Sequence, residues 1–279
     1  MSNATKKDLK LEILISTMDR VSLDFLEDMF PNNNYLNYNI LIVNQTSKAR
    51  LLCSEYDNIR VFNVFEKGLT KSRNFAIKNT NGDICLLADD DVIYESDFKE
   101  IVINAFKLYD EADVVTFQMK DLDGNYFKDY SEKLTHDSET IKTVNSVVIA
   151  FKPKSIKSND IAFNLNFGLG STFETADEYI FLRDALKANL KLKYMPKVIL
   201  NHSFYSSGRD SGSDKLVFAR SALYYKYSGF LGYLKLCKYL YLINKEGYIK
   251  KSDILNKIKV GLKGISTYKE LIKQGLEIQ

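Results

Sequence analysis

The stretch GLTKSRNFAIKNTNGDICLLADDDV, from Gly68 to Val92, decides the fold. In its first half, Ala76 and Ile77 mark the inner side of a helix that we predict over Thr70–Asn79. Its second half opens with a Gly-Asp step and continues as the apolar run DICLLA, which predicts a buried strand over Asp83–Ala88. Three aspartates follow where this strand ends. A helix followed by a buried strand with a polar end is the repeating unit of an α/β sheet.

Similar short apolar runs lie on both sides of this unit. Four further strands are predicted, over Leu11–Ser16, Asn39–Asn44, Ile59–Val64 and Ala112–Gln118. Helices are predicted between them over Val21–Phe30, Lys48–Glu55 and Ser96–Tyr109. Continuous apolar strands that alternate with helices predict a parallel sheet covered on both faces. The expected fold class is therefore α/β, with a Rossmann-like, mostly parallel sheet.

The second half of the chain is less regular. We expect a strand over Val144–Phe151, a helix over Asp177–Asn189 and two extended segments, KLKYMP and KVILNH. From about Ser213 onward the sequence is helical, aromatic and rich in lysine. Only the segment SSGRDSGSD has the composition of a linker. The expected domains are therefore residues 8–207 and a helical C-terminal extension over residues 213–279.

The composition disfavours several classes of protein. The 39 basic and 36 acidic residues leave a net charge of +3, which is small for a dedicated nucleic-acid binder, so no nucleic-acid partner is expected. Cys53, Cys85 and Cys237 are scattered and form no Cys-x-x-Cys pair, so zinc and a disulfide framework are both disfavoured. A reducing, cytoplasmic setting is the natural interpretation.

Polar residues follow the predicted strands at their carboxyl ends, where open α/β sheets bind ligands. They are Ser16, Thr17, Asn44, Lys67, Asp89, Asp90 and Asp91, and Gly68 directly follows Lys67. Two of these carboxylates about 5 Å apart would repel each other by roughly 3 kcal/mol at an effective dielectric near 20. A divalent cation would offset this repulsion. A solvated acidic turn, in which Asp89 or Asp91 caps local amides, is the alternative.

The order of these motifs resembles that of family-2 glycosyltransferases with the GT-A fold. That family commonly carries a glycine, an Arg-Asn pair within a helix, a Gly-acidic step, an apolar strand and an aspartate cluster. The matching residues here are Gly68, Arg73, Asn74, Gly82, Asp83 and Asp89–Asp91. A second segment, Phe163–His202, is similar to the acceptor-side region of the family. Together the two segments extend the resemblance from about Leu11 to His202.

The resemblance implies a transferase that uses a nucleotide sugar, expected to be UDP-linked, and a divalent ion, Mn²⁺ or Mg²⁺. Asp91 would be the direct metal ligand, Asp89 would contact the metal or the ribose, and His202 would complete the metal shell; for His202 a half-buried structural role is the alternative. The other donor-binding residues would be Ser16, Thr17, Asn44, Lys67, Gly68, Arg73 and Asp90. Arg73 would lie near the uracil or the phosphates, and an arginine on the helix surface is the alternative. Asn44 stands where the family often has an aspartate, so its amide, and not a carboxylate, would bond to the edge of the nucleotide base.

The catalytic base is expected in the acceptor-side segment. An inverting transfer needs a carboxylate that takes the proton of the acceptor hydroxyl. The family usually has Glu-Asp here, and alignment through Arg183 places that Asp on Asp177 and the Glu on Ala176. Asp177 is therefore the predicted base, with Glu178 in reserve. A helix N-terminus, where carboxylates are favoured electrostatically, is a structural role that Asp177 would also satisfy.

The C-terminal stretch Tyr224–Lys245 has apolar residues at helical spacing with lysines between them. It predicts a helix that lies on an anionic membrane, or one that packs on the domain or on a second subunit. The expected function is sugar transfer to a glycan or lipid-linked acceptor at the cytoplasmic face of a bacterial membrane. The alternatives are a non-catalytic, degenerate transferase that binds a glycan or a partner, and a nucleotidyltransferase, which usually has a glycine-rich loop after its first strand.

Overall fold

The structure is a computed structural model that describes residues 9–203 and 211–277. Its chain divides into two compact units. The first, here called the sheet unit, comprises residues 9–67, 71–163 and 178–203. The second, the C-terminal unit, comprises residues 68–70, 164–177 and 211–277. The predicted linker SSGRDSGSD lies mostly outside the described residues, and the domain division at residues 207 and 213 stays a prediction.

An eight-stranded mixed sheet is the frame of the sheet unit. Its strands are β1 (Leu11–Met18), β2 (Asn39–Gln45), β3 (Ile59–Val64), β4 (Ile84–Asp89), β5 (Ile93–Tyr94), β6 (Val114–Lys120), β7 (Ile149–Phe151) and β8 (Leu192–Asn201). Their order across the sheet is β3-β2-β1-β4-β7-β6-β8-β5. The pairs β3-β2, β2-β1, β1-β4 and β6-β8 are parallel, while β7 and β5 run antiparallel to their neighbours. The predicted α/β class with a mostly parallel sheet is confirmed.

Helices surround this sheet. They are α1 (Phe25–Met29), α2 (Leu69–Asn79), α3 (Phe98–Leu108), α4 (Pro153–Ser158) and α5 (Asp177–Lys187). The helix predicted over Val21–Phe30 is therefore reduced to α1, and the helix predicted over Lys48–Glu55 is wrong. In that segment Asn63 of β3 exchanges two hydrogen bonds with the backbone of Leu52, at 3.0 and 2.8 Å. Hydrogen bonds from this side chain take the place of helical ones, and residues 51–56 form neither helix nor strand.

The remaining strands differ in detail from the prediction. Only Ile149–Phe151 of the predicted strand Val144–Phe151 is extended in the sheet, because Ser146–Val148 forms a 3-10 turn. The two segments KLKYMP and KVILNH join as the single long strand β8. Its pairing with β6 is irregular around Pro196, which has no N–H to donate to a neighbouring strand.

Three helices build the C-terminal unit: α6 (Asp214–Ser228), α7 (Leu231–Lys245) and α8 (Ile254–Lys273). Their shared core contains Val217, Leu236, Leu240 and Ile265, all buried. The helical extension predicted from Ser213 onward is therefore confirmed. Within residues 9–203 and 211–277, no helix combines the length and the apolar character needed to cross a bilayer.

Candidate active site

The carboxyl ends of β1, β2 and β4 bring predicted polar residues to one edge of the sheet. Ser16 of β1 pairs in register with Asp89 of β4, and Thr17 of β1 pairs with Asn44 of β2. Parallel register thus decides which of these side chains meet. At the carboxyl end of β4, the three successive aspartates Asp89, Asp90 and Asp91 have three different partners.

Asp89 is held by a buried arginine. Nη2 of Arg73, whose side chain is only 2% exposed, donates to Oδ1 of Asp89 at 3.0 Å and to Oγ of Ser146 at 2.9 Å. The guanidinium also lies 5.4 Å from the ring centre of Phe163. A guanidinium so deeply buried requires a charged partner, and Asp89 supplies it. In this structure Arg73 therefore orients the first aspartate of the cluster.

Asp90 turns back toward the end of β1. Its Oδ2 accepts hydrogen bonds from Oγ1 of Thr17 and, at 2.8 Å, from Nε of Arg20. The guanidinium of Arg20 lies 4.9 Å from the ring centre of Phe25 in α1. Sequence reasoning missed Arg20, although its position just beyond the carboxyl end of β1 was a usable signal. Thr17 and Asp90, both predicted donor-binding residues, are in direct contact.

Asp91 faces His202. Oδ1 of Asp91 lies 3.3 Å from Nε2 of His202, and Nδ1 of His202 donates to the backbone oxygen of Ser203 at 2.7 Å. The hydrogen bond between the two side chains lowers the pKa of Asp91 and raises the pKa of His202. The antiparallel pairing of β5 with β8, in which Ile93 lies opposite Asn201, brings the two residues together.

This pair has the chemistry of a cation site. The carbonyl of Ser203 only accepts, so Nδ1 of His202 carries a proton and Nε2 is directed at a carboxylate oxygen. Such a contact needs a positive charge, which is either a second proton on the ring or a bound cation. Across the described ranges, no three His, Cys, Asp or Glu side chains are grouped as a metal site. Metal binding by Asp91, Asp89 and His202 therefore stays a prediction.

Two predicted pocket residues are bonded within the protein. Asn44 is buried; its Oδ1 accepts from the backbone N–H of Arg20 at 3.1 Å, and its Nδ2 donates to the carbonyl of Arg20 at 2.9 Å and to Oδ1 of Asn63 at 3.0 Å. Ser16 is also buried and accepts a hydrogen bond from Ser72 at 2.8 Å. Asn44 thus fixes the backbone of Arg20, whose side chain holds Asp90.

Lys67 and Gly68, adjacent in sequence, fall in different units. Lys67 is exposed, while Gly68 is buried with a φ of 130°, a conformation that favours glycine. Within the C-terminal unit, the backbone N–H of Leu69 donates to the carbonyl of Leu169 at 3.0 Å. Gly68 is therefore part of the structure that supports the loop of residues 164–177, the acceptor-side loop.

Asp177, the predicted base, is a buried residue at the end of the acceptor-side loop and the start of α5. The preceding Ala176 has a φ of 65°, so the chain turns sharply into the helix. Gly168 packs against Asp177 from inside the loop. A Cβ atom at position 168 would lie 3.0 Å from Cβ of Asp177 and 2.7 Å from Cγ2 of Thr70. The small residue is therefore required where the loop passes Asp177.

The acceptor-side loop is anchored by a carboxylate that sequence reasoning missed. Glu277, whose side chain is 3% exposed, accepts hydrogen bonds from Nδ2 of Asn164 at 2.9 Å, Nδ2 of Asn166 at 3.0 Å and Nζ of Lys226 at 2.6 Å. Asn164 and Glu277 are 113 positions apart, and no local sequence pattern links them. The loop is thus fixed from the far end of the described chain.

Glu178, the reserve base, belongs to the sheet unit. There it acts on Lys128: burial lowers the pKa of that ammonium to about 8, and the charge of Glu178 opposes the shift. Nζ of Lys128 also donates to Oδ1 of Asn145 at 2.6 Å. The charge of Glu178 therefore acts on the ammonium of Lys128, so the surroundings of Glu178 differ from those of Asp177.

Comparison with known proteins identifies the family. The sequence profile of glycosyl transferase family 2 matches residues 18–185, which is more than half of the chain. This range contains the aspartates that follow β4 and Asp177 at the start of α5. No curated protein sequence matches the chain significantly.

Solved structures of S. aureus TarS, residues 1–349, resemble the whole chain. The complex of that fragment with UDP-GlcNAc is 14% identical, covers 97% of this chain and 93% of that one, and has a TM-score of 0.55. Its complex with UDP is 14% identical, covers 96% and 92%, and has a TM-score of 0.52. At this identity the likeness establishes the fold, so the expected GT-A fold is confirmed. Because the family profile matches most of its sheet unit, the chain belongs to glycosyl transferase family 2.

Proposed function

We propose that this protein is an inverting glycosyltransferase that moves a sugar from a UDP-linked donor to a hydroxyl of a glycan or lipid-linked acceptor. The observation that carries the proposal is the set of three successive carboxylates at the carboxyl end of β4. Each has a different polar partner, and they lie at the sheet edge of a family 2 glycosyltransferase. Carboxylates fixed in separate orientations suit a ligand that combines hydroxyl groups with a cation-bound diphosphate.

UDP as the donor nucleotide is supported by the TarS fragment, whose structures hold UDP and UDP-GlcNAc. The proposed donor-binding residues are Ser16, Thr17, Asn44, Lys67, Gly68, Arg73, Asp89 and Asp90. Among them, Arg73 would act by orienting Asp89. Asn44 would act through Arg20, which holds Asp90. Because these groups are already fixed, less conformational entropy is lost when the donor binds.

Family 2 glycosyltransferases generally use a divalent metal, and we propose Mn²⁺ or Mg²⁺ for this protein. Asp91 and His202 would hold it, with Asp89 as a further ligand. Carboxylate oxygens suit either ion, and the neutral imidazole would add one nitrogen ligand. When bound, the ion supplies Lewis-acid stabilisation of the leaving diphosphate. The carbonyl of Ser203 would keep His202 in the orientation that ligation needs.

Asp177 is the proposed base. Its carboxylate would take the proton of the acceptor hydroxyl as the oxygen of that hydroxyl bonds to the anomeric carbon. The bond between that carbon and the diphosphate oxygen breaks in the same step, with its electron pair going to the diphosphate. Attack from the opposite face inverts the anomeric centre. Packing of Gly168 against Asp177 supports the assignment, because it limits the positions of the carboxylate; Glu178 is the alternative base.

The setting we propose is the cytoplasmic side of a membrane, where a lipid-linked acceptor would be presented.

A non-catalytic binding module remains the second candidate, because Ala176-Asp177 replaces the Glu-Asp pair usual in the family. A nucleotidyltransferase is disfavoured: β1 is followed by Asp19 and Arg20, without the glycine-rich loop typical of that class.

Release of UDP from UDP-sugars tests the proposal, because many transferases slowly pass their sugar to water. Wild-type protein with Mn²⁺ should release UDP from at least one UDP-sugar, UDP-GlcNAc among those assayed. Asp177→Asn should abolish the release, whereas Asp57→Asn, a change in an exposed turn, should leave it unchanged. UDP binding without release from any UDP-sugar would favour the non-catalytic module.

A further inference from the structure

Helix α7 is apolar on two opposite faces. One face is buried in the C-terminal unit and carries Leu236, Leu240 and Ile243. The opposite face, together with the residues that flank the helix, is exposed and also carries large apolar side chains. We call it the outer face; its apolar members are Phe230 (79% exposed), Leu231 (58%), Leu234 (63%), Tyr241 (66%), Leu242 (39%) and Tyr248 (52%).

The apolar residues of the outer face form a stripe. Leu234 follows Leu231 by three residues, and Tyr241 and Leu242 follow Leu234 by seven and eight residues, so the four lie on one side of the helix. Single exposed apolar residues are normal on a protein surface, but a contiguous group marks a surface that contacts something else.

Lysines line the same face. Lys235, Lys238 and Lys245 fall on the exposed side of α7, and Lys250 and Lys251 follow it, all exposed. Along the sequence, no acidic residue occurs between Asp214 and Glu246. A surface that is both apolar and cationic complements one that presents acyl chains beneath anionic head groups.

Other occupants fit the outer face less well. A symmetric contact between two copies would place the lysines of one copy against those of the other, which is unfavourable. Nucleic acid would use the lysines, but its charged phosphate backbone would not cover the exposed leucines Leu231, Leu234 and Leu242. The lysines on the exposed face also keep α7 from lying inside the hydrocarbon core.

We propose that the outer face of α7 binds the surface of an anionic lipid bilayer. Its leucines and Phe230 would enter the boundary between head groups and acyl chains. Lys235, Lys238 and Lys245 would extend to the lipid phosphates. This inference stands independently of the proposed transfer reaction, because it requires neither donor nor acceptor.

Vesicle co-sedimentation of the full chain tests the inference. The protein should bind vesicles of phosphatidylglycerol and phosphatidylcholine at low salt, bind phosphatidylcholine alone far less, and be released as salt shortens the range of the attraction. Lys238→Gln/Lys245→Gln should weaken binding roughly 30-fold, at about fivefold per lysine. Leu234→Ser/Tyr241→Ser should weaken it roughly tenfold or more.

Lys107→Gln/Leu108→Ser is the matched control, since both residues are exposed on α3 of the sheet unit. It should bind vesicles as wild type does, and all three variants should keep the wild-type melting temperature. Equal loss of binding in the control, or no binding to anionic vesicles by wild type, would overturn the inference. So would a dimer in solution that Leu234→Ser/Tyr241→Ser dissociates, or binding of single-stranded RNA in place of vesicles.

Discussion

The Nε2 atom of His202 lies 3.3 Å from Oδ1 of Asp91, although the two residues are far apart in the chain. The short strand β5 directly follows the aspartates in the chain. Its antiparallel pairing with β8 places Asp91 beside His202, which follows β8. The other ring nitrogen of His202 is bonded to the carbonyl of Ser203, so the imidazole has one orientation. The pair is the part of the candidate site that depends most on tertiary structure.

Asp91→Asn should separate function from stability. The change keeps the shape of the side chain but removes the charge that faces His202. Because Asp91 is largely exposed, we expect the free energy of unfolding to change by about 1 kcal/mol or less. Release of UDP in the presence of Mn²⁺ should fall by roughly two orders of magnitude or more, equivalent to about 3 kcal/mol in the barrier. Near-normal release by this variant would remove Asp91 from the site.

Arg73 and Arg20 should differ in their contribution to stability, although each pairs with an aspartate of the same cluster. The Arg73 side chain is 2% exposed and that of Arg20 is 41% exposed. Arg73→Met would leave Asp89 without its buried partner and should lower the free energy of unfolding by roughly 3 kcal/mol. Arg20→Met should lower it by about 1 kcal/mol or less. Urea denaturation of the two variants makes the comparison; equal losses would contradict the assigned roles.

Asp177→Asn and Glu178→Gln should distinguish the two candidate bases. Loss of a positioned base typically slows a reaction by roughly 10²–10⁴-fold. We expect that loss in kcat for Asp177→Asn, with unchanged affinity for UDP, because the base acts on the acceptor. Glu178→Gln should retain most of the activity. If Glu178→Gln lost activity and Asp177→Asn kept it, Glu178 would be the base. If both variants lost affinity for UDP to the same extent, the loss would indicate misfolding.

Glu277 should make stability depend on pH. Burial alone would raise the pKa of its carboxyl, but hydrogen bonds from Lys226, Asn166 and Asn164 and the charge of Lys226 hold it below the usual value of 4.5. A lowered pKa means that the contribution to stability is complete above about pH 4.5 and is lost as the pH falls through the folded-state value.

Urea denaturation of Glu277→Gln at several pH values tests this dependence. At pH 7 the variant removes the carboxylate that faces the ammonium of Lys226 and should be roughly 3 kcal/mol less stable than wild type. The difference should shrink as the pH falls from 5 toward 3. Lys226→Met/Glu277→Gln is the matched control, because it removes both charges and should recover part of the loss. A difference that is constant with pH would contradict the assignment.

The sheet was predictable because its central strands are continuous apolar runs, a pattern that survives without tertiary information. The polar ends of β1, β2 and β4 were predictable for the same reason, since parallel strands end at one edge. The helices were less predictable: Leu52 is not helical, because Asn63, from the next strand, bonds to its backbone. That bond is not visible in the local sequence.

Contacts between distant segments were also beyond the sequence. Nothing near Asn164 indicates that Glu277 anchors it, and nothing near Lys48 indicates that Asn63 bonds to the backbone of Leu52. Arg20 was overlooked because its role depends on Asp90, which approaches only when β1 and β4 pair. The aspartates were identified by type and spacing, but their separate partners follow from the fold.

The central claim is that a nucleoside diphosphate and a divalent cation bind together at the edge formed by β1, β2 and β4. Thermal unfolding with UDP, with Mn²⁺, and with both tests it most directly. At 100 times its Kd, UDP would stabilise the protein by about 2.7 kcal/mol, a rise of a few degrees in Tm. We predict that rise with UDP and Mn²⁺ together, little with either alone, and its loss in Asp91→Asn. The absence of a shift with UDP and Mn²⁺ together would contradict the account.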